Sequence, residues 1–219
     1  MLVMFFSMIG KYLGWGAASA LTGAVLYANL PTRFTIGAVT PAASYLAGAK
    51  LHKVDSEKDV LTAPVIKASE LFKKSPALVM AVRRPGCALC RREAAELSTL
   101  KDELDKKGIQ FFGVVHEYKG VEGFKPFFKG DVYYDEEKRF YGPNQRWLPL
   151  WMGFLRLDTY LNAYKAKKRG VKGNMEGEGR LLGGVYFLDD DQMVYAHLEK
   201  SWGDAANVGE ILAAVRKFN

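Results

Sequence analysis

Cysteine is scarce in this chain, with two among 219 residues, and histidine is nearly as rare at three. A secreted disulfide scaffold needs several cysteine pairs and a structural zinc site needs four Cys or His ligands, so both classes are excluded. His52, His116 and His197 lie far from the cysteines and from one another without ligand-like spacing, and no metal is expected. Charge of one sign is not concentrated either. The 31 Lys and Arg exceed the 24 Asp and Glu to give a formal charge of +7, but the excess is spread along the chain. Recognition of a phosphate backbone gathers charge into a patch, so no nucleic-acid partner is expected. The glycines of "GNMEGEGR" (173–180) lack the Gly-Lys-Ser/Thr ending of a phosphate loop.

Charge is missing at the start as well. Between Met1 and Leu30 the one charged side chain is Lys11, after which Tyr12 to Leu30 runs uncharged for nineteen residues. At helical rise that approaches the hydrocarbon thickness of a bilayer, although Gly14, Gly16, Gly23 and several alanines make it only moderately apolar. Residues 1–30 therefore read as an apolar N-terminal helix with four uses open: a membrane anchor, a secretory signal cut near Ala28, a mitochondrial address, or a helix packed on the core. Residues 31–62, with Pro31, Pro41 and the mixed charges of "KLHKVDSEKDV", lack a sustained strand period and read as a connector. Residues 63–219 are expected to form the main domain.

Within that domain short apolar runs alternate with amphipathic helical patterns, the pattern of an α/β sheet. "ALVMAVRR" (77–84) is a strand buried on both faces, and "ALCRREAAELSTLKDELDKKG" (88–108) is a helix with Leu89, Ala94, Leu97, Leu100 and Leu104 at helical spacing and Gly108 as its stop. "IQFFGVVHE" (109–117) is the next strand, parallel to the first. Two strands around the turn "DDDQ" fill 181–200, and a closing helix spans 207–218. The order β-α-β, connection, β-β-α predicts a thioredoxin-like α/β fold, a central mixed sheet flanked by helices.

Both cysteines fall where the first strand becomes a helix, in "VRRPGCALCRRE" (82–93). A helix start offers unpaired N–H groups and the positive end of the macrodipole, which favour a thiolate. With Arg83, Arg84 and Arg91 adding charge, the Cys87 thiol is expected to fall below the value of about 8.5 for free cysteine. Cys87 is the predicted nucleophile and Cys90, one turn on, the resolving thiol. Two inert buried thiols, Arg92 paired with Glu96, and Arg91 in water form the plainer alternative. Pro85, Gly183 and Gly184 are candidate substrate- or partner-facing positions, with tight internal packing as the other use of the glycines. Glu176 or Glu178 is a candidate proton acceptor for Cys90. In "WLPLWMGFLRLDTYLNAYKAKKRG" (147–170), Leu150, Phe154, Leu157, Leu161 and Tyr164 form a helical stripe expected to pack in the core, whereas exposure beside the cysteines would suit a lipid-like substrate. The lysines that follow suit a helix C-terminus, with contact to an anionic membrane as the other use.

"AVRRPGCALCRREAAELSTL", "FKGDVYYDEEKRFYGP", "WMGFLRL" and "GNMEGEGRLLGGVYF" resemble blocks of the peroxiredoxin-like 2A family, redox-regulatory members of the thioredoxin-like superfamily, over roughly residues 60–218. The resemblance implies antioxidant thiol chemistry with Cys87 and Cys90 as the redox pair. A related branch, similar to prostamide/prostaglandin F synthase, implies endoperoxide reduction as a rival activity. The sequence departs from the wider P-x-x-x-T-x-x-C pattern, since Met80 and Arg84 occupy the Pro and Thr positions. The expectation is a thiol oxidoreductase with no bound cofactor, recharged by glutathione, thioredoxin or another reducing thiol protein, acting on a peroxide, a protein disulfide or an endoperoxide. A redox-sensing binding module without turnover is the alternative from another class. The expected location is cytoplasmic, with membrane association through residues 1–30, a mitochondrial address, or secretion following from the other readings of the N-terminus.

Overall fold

A computed structural model describes residues 16–218. Its strands are β1 (Lys50–Lys53), β2 (Val65–Lys67), β3 (Ala77–Val82), β4 (Gln110–Val115), β5 (Asp131–Asp135), β6 (Gly184–Asp189) and β7 (Gln192–Leu198). They form one sheet in the order β2-β1-β5-β4-β3-β6-β7, in which β3, β4 and β5 run parallel and all other neighbours antiparallel. The period of two along a strand divides the core between the faces. Leu78, Met80 and Val82 of β3 point to one side, and Ala77, Val79 and Ala81 to the other. At roughly 1.5–3 kcal/mol per large apolar side chain buried, Leu78, Val79, Met80 and Val82 make β3 the energetic centre of the sheet. Edge strand β2, whose Val65 is exposed, has no such contribution and is held mainly by its ladder to β1.

The longer helices are α1 (16–28), α2 (Ala88–Ser98), α3 (Lys101–Lys106), α4 (Leu150–Leu155), α5 (Leu157–Lys168) and α6 (Val208–Lys217). Ala94 and Leu97 of α2, Leu104 of α3 and Ile211 and Val215 of α6 cover the Leu78–Met80–Val82 face. Phe72, Phe140 and Tyr141 cover the other face, together with the short turn of helix Ala43–Ala47. Asn207 caps α6 by accepting from Gly209 N at 2.8 Å and Glu210 N at 3.3 Å.

Three features differ from the reading of the sequence. The expected helix 88–108 is two helices, because Thr99 Oγ1 donates to Glu96 O at 2.7 Å and Ser98 Oγ bridges Phe127 O and Lys129 N, which tightens the chain at Thr99–Leu100. The expected connector 31–62 contributes β1, paired to both β5 and β2. The stripe of Leu150, Phe154, Leu157, Leu161 and Tyr164 is exposed rather than buried. Arg156 adopts an extended conformation that separates α4 from α5 and breaks the helical register, and α5 turns Thr159, Asn162 and Ala166 inward instead. Small and polar side chains suit that inner face because α5 packs on α2, and Asn162 Nδ2 donates to Trp202 O at 3.3 Å.

Of the apolar N-terminal helix expected over residues 1–30, residues 1–15 lie outside the described residues. The remainder, α1, ends on the α4–α5 junction. There Asn29 Nδ2 donates to Leu155 O at 2.9 Å, Leu157 N to Asn29 Oδ1 at 3.1 Å, and Arg156 Nη2 to Leu30 O at 3.1 Å. No helix among the described residues is long and apolar enough to cross a membrane.

Candidate functional site

β3 ends at Val82 in the middle of the sheet, Pro85 and Gly86 turn the chain, and Cys87 is the N-cap of α2 with an extended backbone. Both Cys87 and Cys90 are free thiols, 6% and 3% exposed. The thiol of Cys90 donates toward Cys87 and, against the opposing effect of burial, together with Arg83, Arg84 and the Leu89 N–H, holds the Cys87 thiol well below its ordinary range. Cys90 moves the other way, up, through that same hydrogen bond and complete burial, with Arg83 opposing. The two shifts run in opposite directions and make Cys87 the more readily ionised of the two thiols.

Arg83 is the residue that organises this charge. Its Nη2 donates to Cys87 Sγ at 3.2 Å, its Nε to Glu199 Oε1 at 3.1 Å and its Nη1 to Gly179 O at 3.0 Å. Burial would pull its pKa down, but the electrostatic attraction of the cysteine pair and Glu199 raises it instead. Glu199 is itself fixed at the end of β7, accepting from Gly183 N and Gly203 N at 2.8 Å each. A buried guanidinium with carboxylate on one edge and sulfur on the other keeps the donor aimed without a side-chain search. Beneath it His116 Nε2 lies 2.8 Å from Arg83 O, and burial lowers the His116 pKa, which favours the neutral imidazole.

Arg91 has a different task from the one the sequence suggested. Arg91 donates to Pro85 O at 3.1 Å and Lys172 O at 3.0 Å, lies over the Phe127 ring, and does not reach the thiol. Arg84 contributes positive charge to Cys87 and also donates to Met175 O at 3.2 Å. With Asn174 N on Gly86 O at 2.7 Å and Glu178 N on Glu117 Oε1 at 2.8 Å, these contacts strap residues 172–179 across the cysteine loop. A Cβ on Gly173 would stand 2.2 Å from Ala88 N, so only glycine lets the strap lie that close. Arg92 is buried, donating to Gly203 O at 2.7 Å with Glu96 at 3.9 Å.

The other candidates fall as follows. Pro85 is buried in the turn between β3 and α2, and its carbonyl accepts from Arg91 Nε at 3.1 Å. A Cβ on Gly183 would stand 2.1 Å from Ala81 O, and one on Gly184 2.6 Å from His197 O, so the space before both is taken by the protein's own strands. Glu178 pairs with Arg180 at 2.7 Å, which lowers its pKa, and Glu176 lies 4.0 Å from Lys119, so each has a cationic partner of its own. The sequence reading missed Glu199. Its signal was Arg83, a cation at the end of a fully buried strand that needs a buried counter-charge. Among the described residues no group of three His, Cys, Asp or Glu is placed to hold a metal ion.

Cys87 meets solvent through a cleft of about 940 Å³. Its lining is apolar at Leu89, Leu150, Phe154, Tyr160 and Trp202 and basic at Arg84, Lys167 and Arg180.

A mixed central sheet flanked by helices on both faces is the thioredoxin-like arrangement of the peroxiredoxins. Peroxiredoxin Q of Xanthomonas campestris shares this fold with a TM-score of 0.51 at 15% identity, over 83% of this chain and 99% of its own. The AhpC/TSA antioxidant enzyme family matches residues 96–201, a span that begins after the cysteines. Proteins named Peroxiredoxin-like 2A are similar over nearly the whole length: that of Rattus norvegicus is 42% identical over 98% of this chain and 92% of its own, and that of Homo sapiens 40% over 97% and 91%. The chain belongs to the peroxiredoxin-like 2A family, and a redox function in general goes with that membership.

Proposed function

We propose that this chain is a thiol-disulfide redox protein of peroxiredoxin-like type that reduces peroxides through Cys87 and Cys90. The observation that carries the reading is the 3.2 Å contact from the buried Arg83 guanidinium to Cys87 Sγ, at the mouth of an open cleft. The Cys87 thiolate attacks one oxygen of the peroxide bond, the O–O bond breaks, and the departing alkoxide or hydroxide takes up a proton. Arg84, on the wall of the same cleft, stabilises that developing negative oxygen. Cys87 is left as the sulfenic acid. Cys90 then attacks the Cys87 sulfur, forming the disulfide, and its proton leaves with the hydroxyl as water. The two thiols start as free groups, so closing the bond draws Cys87 toward the first turn of α2. Two electrons and two protons from glutathione or thioredoxin restore the dithiol. With a protein disulfide in place of a peroxide, the same two attacks run through a mixed disulfide.

The apolar lining of the cleft favours a second reading, a lipid-like endoperoxide as substrate, because Leu89, Leu150, Phe154 and Tyr160 offer hydrocarbon contact within reach of Cys87. Turnover of hydrogen peroxide, cumene hydroperoxide and prostaglandin H2, each measured with glutathione and with thioredoxin, separates the two. The peroxide reading expects cumene hydroperoxide to be reduced about tenfold faster than hydrogen peroxide, in line with apolar binding worth a factor of ten per 1.4 kcal/mol. Turnover of the endoperoxide alone transfers the assignment to the second reading. If none turns over, the enzyme assignment is lost and a redox-sensing binding module remains.

A further inference from the structure

We infer that the outer face built by α4, α5 and the end of α1 docks on an anionic lipid surface, lying in the interface rather than crossing it. The face is apolar and open: Leu157 is 64% exposed, Leu161 59% and Tyr164 66%, with Leu150, Trp151, Phe154 and Tyr160 exposed beside them. It is continuous with α1, since Tyr27 stacks on Trp151 with ring centroids 6.3 Å apart. Leu21 and Leu26 extend it outward, and residues 1–15, which carry a single charge at Lys11, lead directly into α1.

Charge decides the occupant. Lys165, Lys167 and Lys168 lie on α5 itself and Lys172 just beyond, and none of them makes an ion pair among the described residues, whereas Arg169 is held by Glu96 at 2.6 Å. An apolar face with Trp and Tyr at its surface and lysines of one sign beside it matches hydrocarbon below negative headgroups. A second copy fits poorly. A two-fold interface sets the patch against itself, which would bring the lysine clusters of both copies together. Docking this way brings the mouth of the Cys87 cleft to the lipid, because Leu150, Phe154 and Tyr160 belong to both.

Flotation of the full chain with vesicles tests this without turnover, so its outcome is separate from that of the redox reading. The chain is expected to float with phosphatidylcholine vesicles containing phosphatidylserine, and about tenfold less with phosphatidylcholine alone or in high salt. Leu161→Asp and, separately, Lys165→Glu with Lys168→Glu each reduce binding about tenfold, while circular dichroism and light scattering match the parent because these side chains are exposed. Full binding by Leu161→Asp would assign the effect to residues 1–30 alone and overturn the proposal. Absence of flotation would overturn it too, as would a dimer that Leu161→Asp dissolves without any change at the vesicle.

Discussion

Cys87→Ser abolishes turnover, by roughly 10³-fold or more, because a serine hydroxyl at the head of α2 cannot be ionised near neutral pH and leaves no nucleophile. Cys90→Ser behaves differently. The first attack survives, since Cys87, Arg83 and Arg84 are intact, but no second thiol releases the adduct, so Cys87 accumulates as sulfenic acid or as a mixed disulfide with the regenerating thiol. Intact mass after oxidant treatment reads all three proteins: the parent loses two hydrogen atoms, Cys90→Ser gains the adduct, and Cys87→Ser shows neither change. Two inert buried thiols would give a different record, with near-isosteric substitutions costing little stability and no mass change in any variant.

Arg83→Met lowers stability by about 3–5 kcal/mol, because the Glu199 carboxylate is left buried with its charge uncompensated. The two backbone N–H groups that reach Glu199 from Gly183 and Gly203 soften the loss toward the lower figure. Adding Glu199→Gln removes the stranded charge and recovers most of the stability, measured by denaturant unfolding. Reactivity does not return with it. In both variants Cys87 lacks the donor 3.2 Å from its sulfur, so its pKa rises and its alkylation at neutral pH slows. Recovery of folding without recovery of reactivity distinguishes a residue that positions the thiolate from one that only fills the core.

The fold was legible wherever burial and period agreed. "ALVMAV" could only be a central strand, and the pair of cysteines after it fell where expected because Pro85 and Gly86 end the strand. Helix 88–108 was misjudged as one element since Ser98 and Thr99 act through hydrogen bonds to residues whose neighbourhood the period does not describe. The stripe from Leu150 to Tyr164 misled for a related reason: periodicity shows that a helix has an apolar face, not which way it turns. Here Arg156 resets the register and the inner face of α5 is small and polar. At the site, Cys87, Cys90 and Arg83 were readable from local spacing, whereas Glu199 stands 116 residues from Arg83. The role of Arg91 as a brace for the strap depends on Lys172 returning to the same loop, a long-range contact without a local signal.

The pH dependence of Cys87 follows from its lowered pKa. The native state holds fewer protons on Cys87 than the unfolded chain, so its thiolate contributes stability above the unfolded value of about 8.5 and loses it as pH falls through the native one. Cys90, raised by folding, contributes below its unfolded value and loses that contribution as pH rises. The two slopes oppose each other, which makes reactivity a cleaner report than stability. The decisive measurement is the rate of Cys87 alkylation in the reduced protein, followed by peptide mapping from acid to alkaline pH. A titration with its midpoint well below about 8.5 is the predicted result. A rate that climbs about tenfold per pH unit through neutrality toward a midpoint at or above about 8.5 would contradict the account.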